Sequence, residues 1–290
     1  MVIGLGIVAG ILLLWFVIVW IRDVNRFVTV EYEIEVEGLK KPCTLLLLSD
    51  LHNKRYGKKN QRLAETIRNL SADAILVAGD MYTSKSGGGF DAAVELFEQI
   101  AGKCPIYYAN GNHEHKTRVH KDVFGTMYED YWKEMDKLGI RPLCNEHVWL
   151  PEYGMDICGL EIGREYFKRL RKQPFAEHYL EQTIGTPRKD ACQVLIAHNP
   201  DYFPEYAEWG ADVVVSGHVH GGVVRLPRLG GVLSPALHLF PQYDGGLFQE
   251  KGAFMVLGRG LGMHTIPVRM WNPGELPVIH LVPKRVSEKA

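Results

Sequence analysis

The stretch Cys43-Thr44-Leu45-Leu46-Leu47-Leu48-Ser49-Asp50-Leu51-His52 joins an apolar run directly to a carboxylate and an imidazole. The run is too short to span a membrane, and its continuous apolarity fits a strand covered on both faces. Asp50 and His52 are two residues apart, so in extended chain their side chains share a face. The same pattern recurs along the chain. Ala74 to Ala78 ends in Gly79-Asp80, and Pro105 to Ala109 ends in Asn110-Gly111-Asn112-His113-Glu114. Val194 to Ala197 runs into His198-Asn199, and Val213 to Val215 into Ser216-Gly217-His218-Val219-His220-Gly221-Gly222. Carboxyl ends of strands in an open α/β sheet are where ligand sites form.

Between these runs the period changes from strand to helix. Leu63, Ile67 and Leu70 recur at helical spacing, as do Ala93, Leu96, Phe97 and Ile100. Phe124, Tyr128, Tyr131, Met135 and Leu138 predict a longer helix. Upstream, Val30, Tyr32, Ile34 and Val36 alternate with glutamates from Thr29 to Glu37, as in a strand with one wet face. After about Gly222 the pattern becomes short segments broken by Gly and Pro, ending in a strand near Val278 to Val282. The expected class is α/β, with helices flanking sheet. Residues 23–290 read as one domain with no internal repeat, and Ser84 to Gly89 as a flexible loop.

Composition narrows the functional classes. A net charge of −1 over 290 residues gives no general pull toward nucleic acid, and none is expected to bind. Five scattered cysteines without a C-x-x-C pair argue against a disulfide framework and a thiolate zinc site.

Val2 to Ile21 carries no charge and is about as long as the ~20 residues that cross a hydrocarbon core. A cleavable leader would have a basic start, a shorter apolar stretch and a small-residue cleavage site. Here no Lys or Arg precedes the run, which ends in Trp20-Ile21 before Arg22-Asp23. Residues 1–22 are therefore expected to be a retained single-pass membrane anchor, with Trp15, Phe16 and Trp20 suited to an interface. Arg22, Arg26, Lys40 and Lys41 place the large domain on the cytoplasmic face.

A single D-x-H is noise, and most of the 12 histidines are expected to be ordinary surface or core residues; His115, His120, His147, His178, His238, His264 and His280 are read so. Five blocks in order, each closing an apolar strand, are not noise. They offer oxygen and imidazole-nitrogen ligands without thiolate, a set that suits manganese, with iron or zinc as alternatives. The series D-x-H, G-D, G-N-H-E, a lone H, and G-H-x-H resembles the calcineurin-like metallophosphoesterases, from about Cys43 to the C-terminus. The branch it is most similar to has N-terminal membrane or export segments, and shares a tail like Leu226-Pro227, Ser234 to Leu237, Tyr243 to Gly246 and Arg259 to Gly262. Val223 stands where that branch leads one to expect Gln. Wider relatives include enzymes acting on the pyrophosphate of UDP-diacylglucosamine.

The resemblance implies a four-layer α-β-β-α sandwich behind the transmembrane helix, and two divalent metal ions. It places Asp50, His52, Asp80 and His220 around one metal, and Asp80, Asn112, His198 and His218 around the other, with Asp80 bridging. A hydroxide bridging the two metals would attack phosphorus directly, and His113 would protonate the leaving oxygen. Glu114 either orients its loop or caps a helix. The expected reaction is hydrolysis of a phosphodiester or pyrophosphate bond in a substrate that is lipid-linked or contains a nucleotide. A phosphomonoesterase or protein phosphatase would use the same core, and a non-catalytic scaffold would have shed ligands that this chain keeps. The basic run Lys168 to Lys172 is read as a solvated face or a contact for anionic headgroups, and Arg259 as a candidate for a phosphate oxygen.

Overall fold

The computed structural model describes residues 2–168, 172–226, 229–232, 239–263 and 267–284. Of the segments singled out above, residues 169–171, Pro227, Ser234 to Leu237, His238 and His264 lie outside the described residues. The chain runs through α1 (Val2–Val24), β1 (Phe27–Val36), β2 (Cys43–Leu48), α2 (Gln61–Asn69), β3 (Ala74–Val77), α3 (Asp91–Ile100) and β4 (Ile106–Tyr108). Three helices follow, α4 (Asn112–Val119), α5 (Lys121–Phe124) and α6 (Met127–Lys137), then β5 (Glu146–Leu150) and β6 (Met155–Leu160). Next are α7 (Tyr179–Ile184), β7 (Cys192–Ala197), α8 (Phe203–Trp209) and β8 (Val213–Ser216). The hairpin β9 (Arg225–Leu226) and β10 (Gly230–Gly231) precedes β11 (Gly246–Glu250), β12 (Ala253–Leu257) and β13 (Gly274–Pro283).

Two sheets carry the fold. One has the order β1-β13-β2-β3-β4, with β2, β3 and β4 parallel; the other has the order β11-β12-β8-β7-β6-β5, parallel from β12 to β6. The four leucines of β2 show how the sheets stack. Leu45 and Leu47 point into a core shared with Leu76, Ile157, Val194, Ile196 and Val215, so this face meets the second sheet. Leu46 and Leu48 point the other way, onto Leu63 and Ile67 of α2, Phe97 of α3 and Tyr131 of α6. All four are fully buried, and each contributes roughly 1.5–3 kcal/mol. The outer face of the second sheet packs Leu195 and Val214 against α7 and α8. The result is the expected α-β-β-α sandwich, and it explains why these strands read as unbroken apolar runs.

The expected long helix is interrupted: Gly125, at φ 60°, separates α5 from α6, so Phe124 sits on a one-turn helix of its own. All five cysteines are free thiols. Helix α1 is apolar and long enough over Gly4–Val24 to cross a membrane, and most of it is exposed. Its C-terminal end rests on the body of the protein. The Trp20 indole donates to the Pro267 carbonyl (2.8 Å), the Trp15 and Phe16 rings lie 5.6 and 6.0 Å from that of Trp271, and Asp23 is fully buried.

Candidate metal centre

The loops that close β2, β3, β7 and β8, with the start of α4, meet at one edge of the sandwich. Asp50, His52, Asp80, His218 and His220 all hold left-handed backbone, with φ between 46° and 74°. Such a conformation costs on the order of 1–3 kcal/mol per non-glycine residue and persists only where the surroundings enforce it. Here they do. The Asp50 and His52 amides donate to the Gly79 and Asp80 carbonyls, the Gly262 amide to the Asp50 carbonyl, and the His218 amide to the Asp50 carboxylate at 3.0 and 3.1 Å. Two glycines make the approach sterically feasible. A Cβ on Gly79 would lie 2.0 Å from the Gly111 nitrogen, and one on Gly111 would lie 2.3 Å from Asp80 Oδ1.

The side chains converge on two carboxylate oxygens. Asp80 Oδ2 lies 3.1 Å from His198 Nε2, 3.8 Å from His52 Nε2 and 3.9 Å from His113 Nε2. Asp50 Oδ1 lies 3.5 Å from His220 Nε2, 3.8 Å from His52 Nε2 and 3.9 Å from His198 Nε2. Potential ligand atoms gather in the groups Asp50–His52–His220, His52–Asp80–His113 and Asp80–His198–His218, with Asp80 common to the last two. Asn112 begins α4 between Gly111 and His113, whose amide donates to Asp80 Oδ1 at 2.8 Å.

The hydrogen bonds around His198 test whether this cluster suits a cation. Its Nδ1–H donates to the Ala78 carbonyl, which leaves Nε2 as a lone pair facing the Asp80 carboxylate. Two acceptors at that distance repel unless a proton or a metal ion lies between them. The Asn112 Oδ1 is a further buried acceptor, without a hydrogen-bond partner among the described residues. The titration behaviour carries the same message. Burial disfavours charge on His198, yet the Asp80 and Asp50 carboxylates push its pKa up to about 10. Burial would raise Asp80 too, but the imidazoles of His198, His113 and His52 hold it well below the usual carboxylate range. Asp50 is pushed up to about 6 by burial, against the pull of His198 and with the help of Asp80. A site crowded with acceptors, where a proton stands in at His198, fits divalent cations.

Two neighbours, Ser84 and Glu114, fix the His113 side of the cluster. The backbone amide and hydroxyl of Ser84 both lie within 2.8 Å of His113 Nδ1; the amide can only donate, so the neutral ring carries its proton on Nε2, toward Asp80. Ser84 opens the glycine-rich segment expected to be a flexible loop, yet it is buried because it supports this ring. Glu114 orients its loop: its carboxylate accepts from the amides of Asp80, Met81 and Gly111 and from the Tyr108 hydroxyl. Burial, with the Asp80 charge adding, pushes its pKa up to about 7. Each buried donor left without a partner costs about 1–3 kcal/mol, so Glu114→Ala is expected to lower the unfolding free energy by at least about 3 kcal/mol. Denaturant unfolding of the metal-free protein measures this; an unchanged midpoint would mean that water replaces the carboxylate.

Sequence reasoning missed Glu161. It follows β6, accepts from the Asn110 amide at 2.6 Å, and contacts His115 and Arg118. The available signal was weak: Met155 to Leu160 ends in a carboxylate as the other strands do, but Asp156 and Gly159 interrupt its apolar residues. Arg259 lies with its side chain against Gly221 and pairs with Glu275. Of the basic run, Lys168 is exposed and Lys172 pairs with Glu205 at 2.7 Å. Phe167, just before it, packs edge-on to the His218 ring, 5.3 Å between centroids. Elsewhere His147 bonds Asp156 and His280 bonds Thr44, as structural histidines do.

Comparison with known proteins reads the same arrangement. A family model described as calcineurin-like phosphoesterase matches residues 43–222, more than half of the chain. The chain is 26% identical to the uncharacterized protein YpbG of Bacillus subtilis (strain 168), over 84% of this chain and 81% of that protein. It is 25% identical to an uncharacterized metallophosphoesterase of Helicobacter pylori (strain ATCC 700392 / 26695), over 88% of this chain but only 64% of that longer protein. It is also 25% identical to the phosphodiesterase YaeI of Escherichia coli (strain K12), over 76% of each. The matched residues span all five blocks that build the cluster, from Asp50 to His220, and so this chain belongs to the calcineurin-like phosphoesterase family, hydrolases of phosphoester bonds.

Proposed function

We infer that the chain is a two-metal phosphodiesterase or pyrophosphatase tethered to a membrane by α1. The observation that carries this reading is the convergence of Asp50, Asp80 and five histidines on a volume where His198 Nε2 and Asp80 Oδ2 face each other as acceptors. Asp50, His52, Asp80 and His220 would hold one cation, and Asp80, Asn112, His198 and His218 the other; manganese would suit these ligands, with iron or zinc as alternatives. Such a pair supplies Lewis-acid stabilisation and lowers the pKa of water enough for hydroxide to form near neutral pH. The chain's own residues do the rest. His113 offers its Nε2–H to the departing oxygen, Ser84 holds that ring, and Phe167 walls the side of His218. A diester is favoured over a monoester by the likeness to YaeI. A lipid-linked substrate suits a site beside α1, and a nucleotide-containing one is the other arm of the test.

The test is a panel of phosphodiesters, monoesters and nucleotide pyrophosphates, with Mn²⁺ returned to metal-free protein. Turnover of diesters or pyrophosphates that requires the metal supports the reading. Preference for monoesters would move the chain to the phosphomonoesterases, and no turnover anywhere would overturn the enzyme assignment.

Membrane attachment has its own test. Protein starting at Arg22 keeps every proposed ligand and Asp23, and is expected to leave the membrane fraction while keeping metal-dependent activity. Full-length protein in intact cells is expected to resist added protease, because Arg22 and Arg26 flank the cytoplasmic end of the span. Digestion without lysis would reverse the orientation.

A further inference from the structure

The last turn of α1 is tied to the metal cluster by a chain of buried polar contacts. Asp23 Oδ2 accepts the backbone amide of Asn272 at 3.2 Å, across 249 residues of sequence. The Asn272 side-chain amide in turn donates to the carbonyls of His220 (2.8 Å) and Gly222 (2.6 Å). Asp23 and Asn272 are both fully buried. Because carbonyls only accept, the orientation of the Asn272 amide is settled by its two partners.

Three features make this more than a staple. Asp23 is a carboxylate in the last turn of a helix, where it opposes the helix dipole, and it is buried, which adds a desolvation cost. Arg22 and Arg26 offset part of this from half-exposed positions. Stability of α1 therefore does not account for Asp23, whereas an acceptor for Asn272 does. Secondly, Trp271 adopts φ 54°, a left-handed conformation that is an outlier for a bulky residue. The strained residue joins the ring cluster with Trp15 and Phe16 on one side to Asn272 on the other. Thirdly, the segment is gripped from both directions. Met270 donates its amide to the Val223 carbonyl and accepts the Arg225 amide, and the buried Arg269 donates to the carbonyls of Arg259, Gly260 and Gly262. Gly262 closes the loop by donating to the Asp50 carbonyl.

We propose that Asp23 and Asn272 are positioning residues for His220, so that Asp23, which a truncation before Arg22 keeps, belongs to the metal-site framework while the apolar residues before it serve as the tether. This rests on the two-metal reading above. Asn272 holds the His220 main chain rather than its ring, and loss of a group that orients a metal ligand typically changes metal affinity by about 10–100-fold.

The experiment is Mn²⁺ titration of metal-free full-length protein in detergent, read as bound equivalents and two dissociation constants. Wild type is expected to bind two ions. Asn272→Ala should weaken one of them ~10–100-fold and leave the other near its wild-type value. Asn272→Asp keeps the shape but turns an acceptor toward two carbonyls, so it should bind no better than Asn272→Ala. A packing role predicts the reverse order, and that order would overturn the proposal. Asp23→Ala should weaken the same ion by less, and the double variant Asp23→Ala/Asn272→Ala should be no worse than Asn272→Ala alone, because Asp23 acts through Asn272. Should Asn272→Ala not fold, Asp23→Ala decides alone: two unchanged constants overturn the proposal. Wild type that binds no metal would instead sink the two-metal reading itself.

Discussion

Asp80→Asn is expected to remove the ligand proposed to be shared by both metals, and turnover with it. Asp80 Oδ2 is the atom on which His198, His52 and His113 converge, while Oδ1 is held by the His113 amide. An asparagine keeps the second of these contacts, because its carbonyl still accepts from His113. It loses the first, because the remaining atom is an NH₂ group without a lone pair for a cation. That NH₂ also donates to the His198 lone pair and caps the nitrogen proposed to bind the second ion. Metal-assisted stabilisation is worth several kcal/mol, so kcat should fall by about 10³-fold or more. Elemental analysis after dialysis should find fewer than two equivalents of metal, with the loss shared by both sites. Two retained metals together with a near-native rate would remove Asp80 from the bridging position.

The parts of the fold that were legible in the sequence are those where one rule dominates. β2 was read at Cys43–Leu48, the bounds it has in the structure, because both faces are covered and no residue interrupts the apolar run. β3, β7 and β8 were legible for the same reason, and their polar C-terminal ends led to the site residues. β6 was not, although it is equally buried. Asp156 and Gly159 break its apolar pattern, and Asp156 is buried because His147 bonds it at 2.7 Å. α7 and α8 have six and seven residues, too few for a helical period to declare itself. The α5–α6 break turned on the one backbone angle at Gly125, which periodicity does not weigh. Within the site, the ligand candidates announced themselves by type and spacing. Their supports did not: Ser84 is a common residue in a glycine-rich loop, and the Asp23–Asn272 contact joins the two ends of the chain. Supporting hydrogen bonds of this kind leave no periodic signal, since they depend on where two distant segments happen to meet.

His113→Ala is expected to separate proton donation from metal binding. The Ser84 amide fixes the His113 Nδ1 as an acceptor, so the proton sits on Nε2, on the side of Asp80 and His52. Loss of a positioned proton donor lowers kcat by about 10²–10⁴-fold on substrates with poor leaving groups. The deficit should shrink for p-nitrophenolate, which departs without a proton, and metal content should stay near normal. An equal loss across all leaving groups would show that His113 acts on something other than the departing oxygen. The same ring decides between two displacement schemes. Ser84 Oγ lies 2.7 Å from His113 Nδ1, which superficially resembles a serine nucleophile beside its base. However, that nitrogen already accepts the Ser84 amide, and it is on the edge of the ring opposite Nε2. A hydroxyl there is separated from the metal cluster by the width of an imidazole, too far to attack a phosphorus bound among Asp50, Asp80 and His198. Hydrolysis should therefore be one direct displacement, with inversion at a chiral phosphorus, and Ser84→Ala should retain inversion while sharing part of the His113→Ala deficit. Retention of configuration in wild type would require a phosphoryl-enzyme and would return Ser84 to consideration as its carrier.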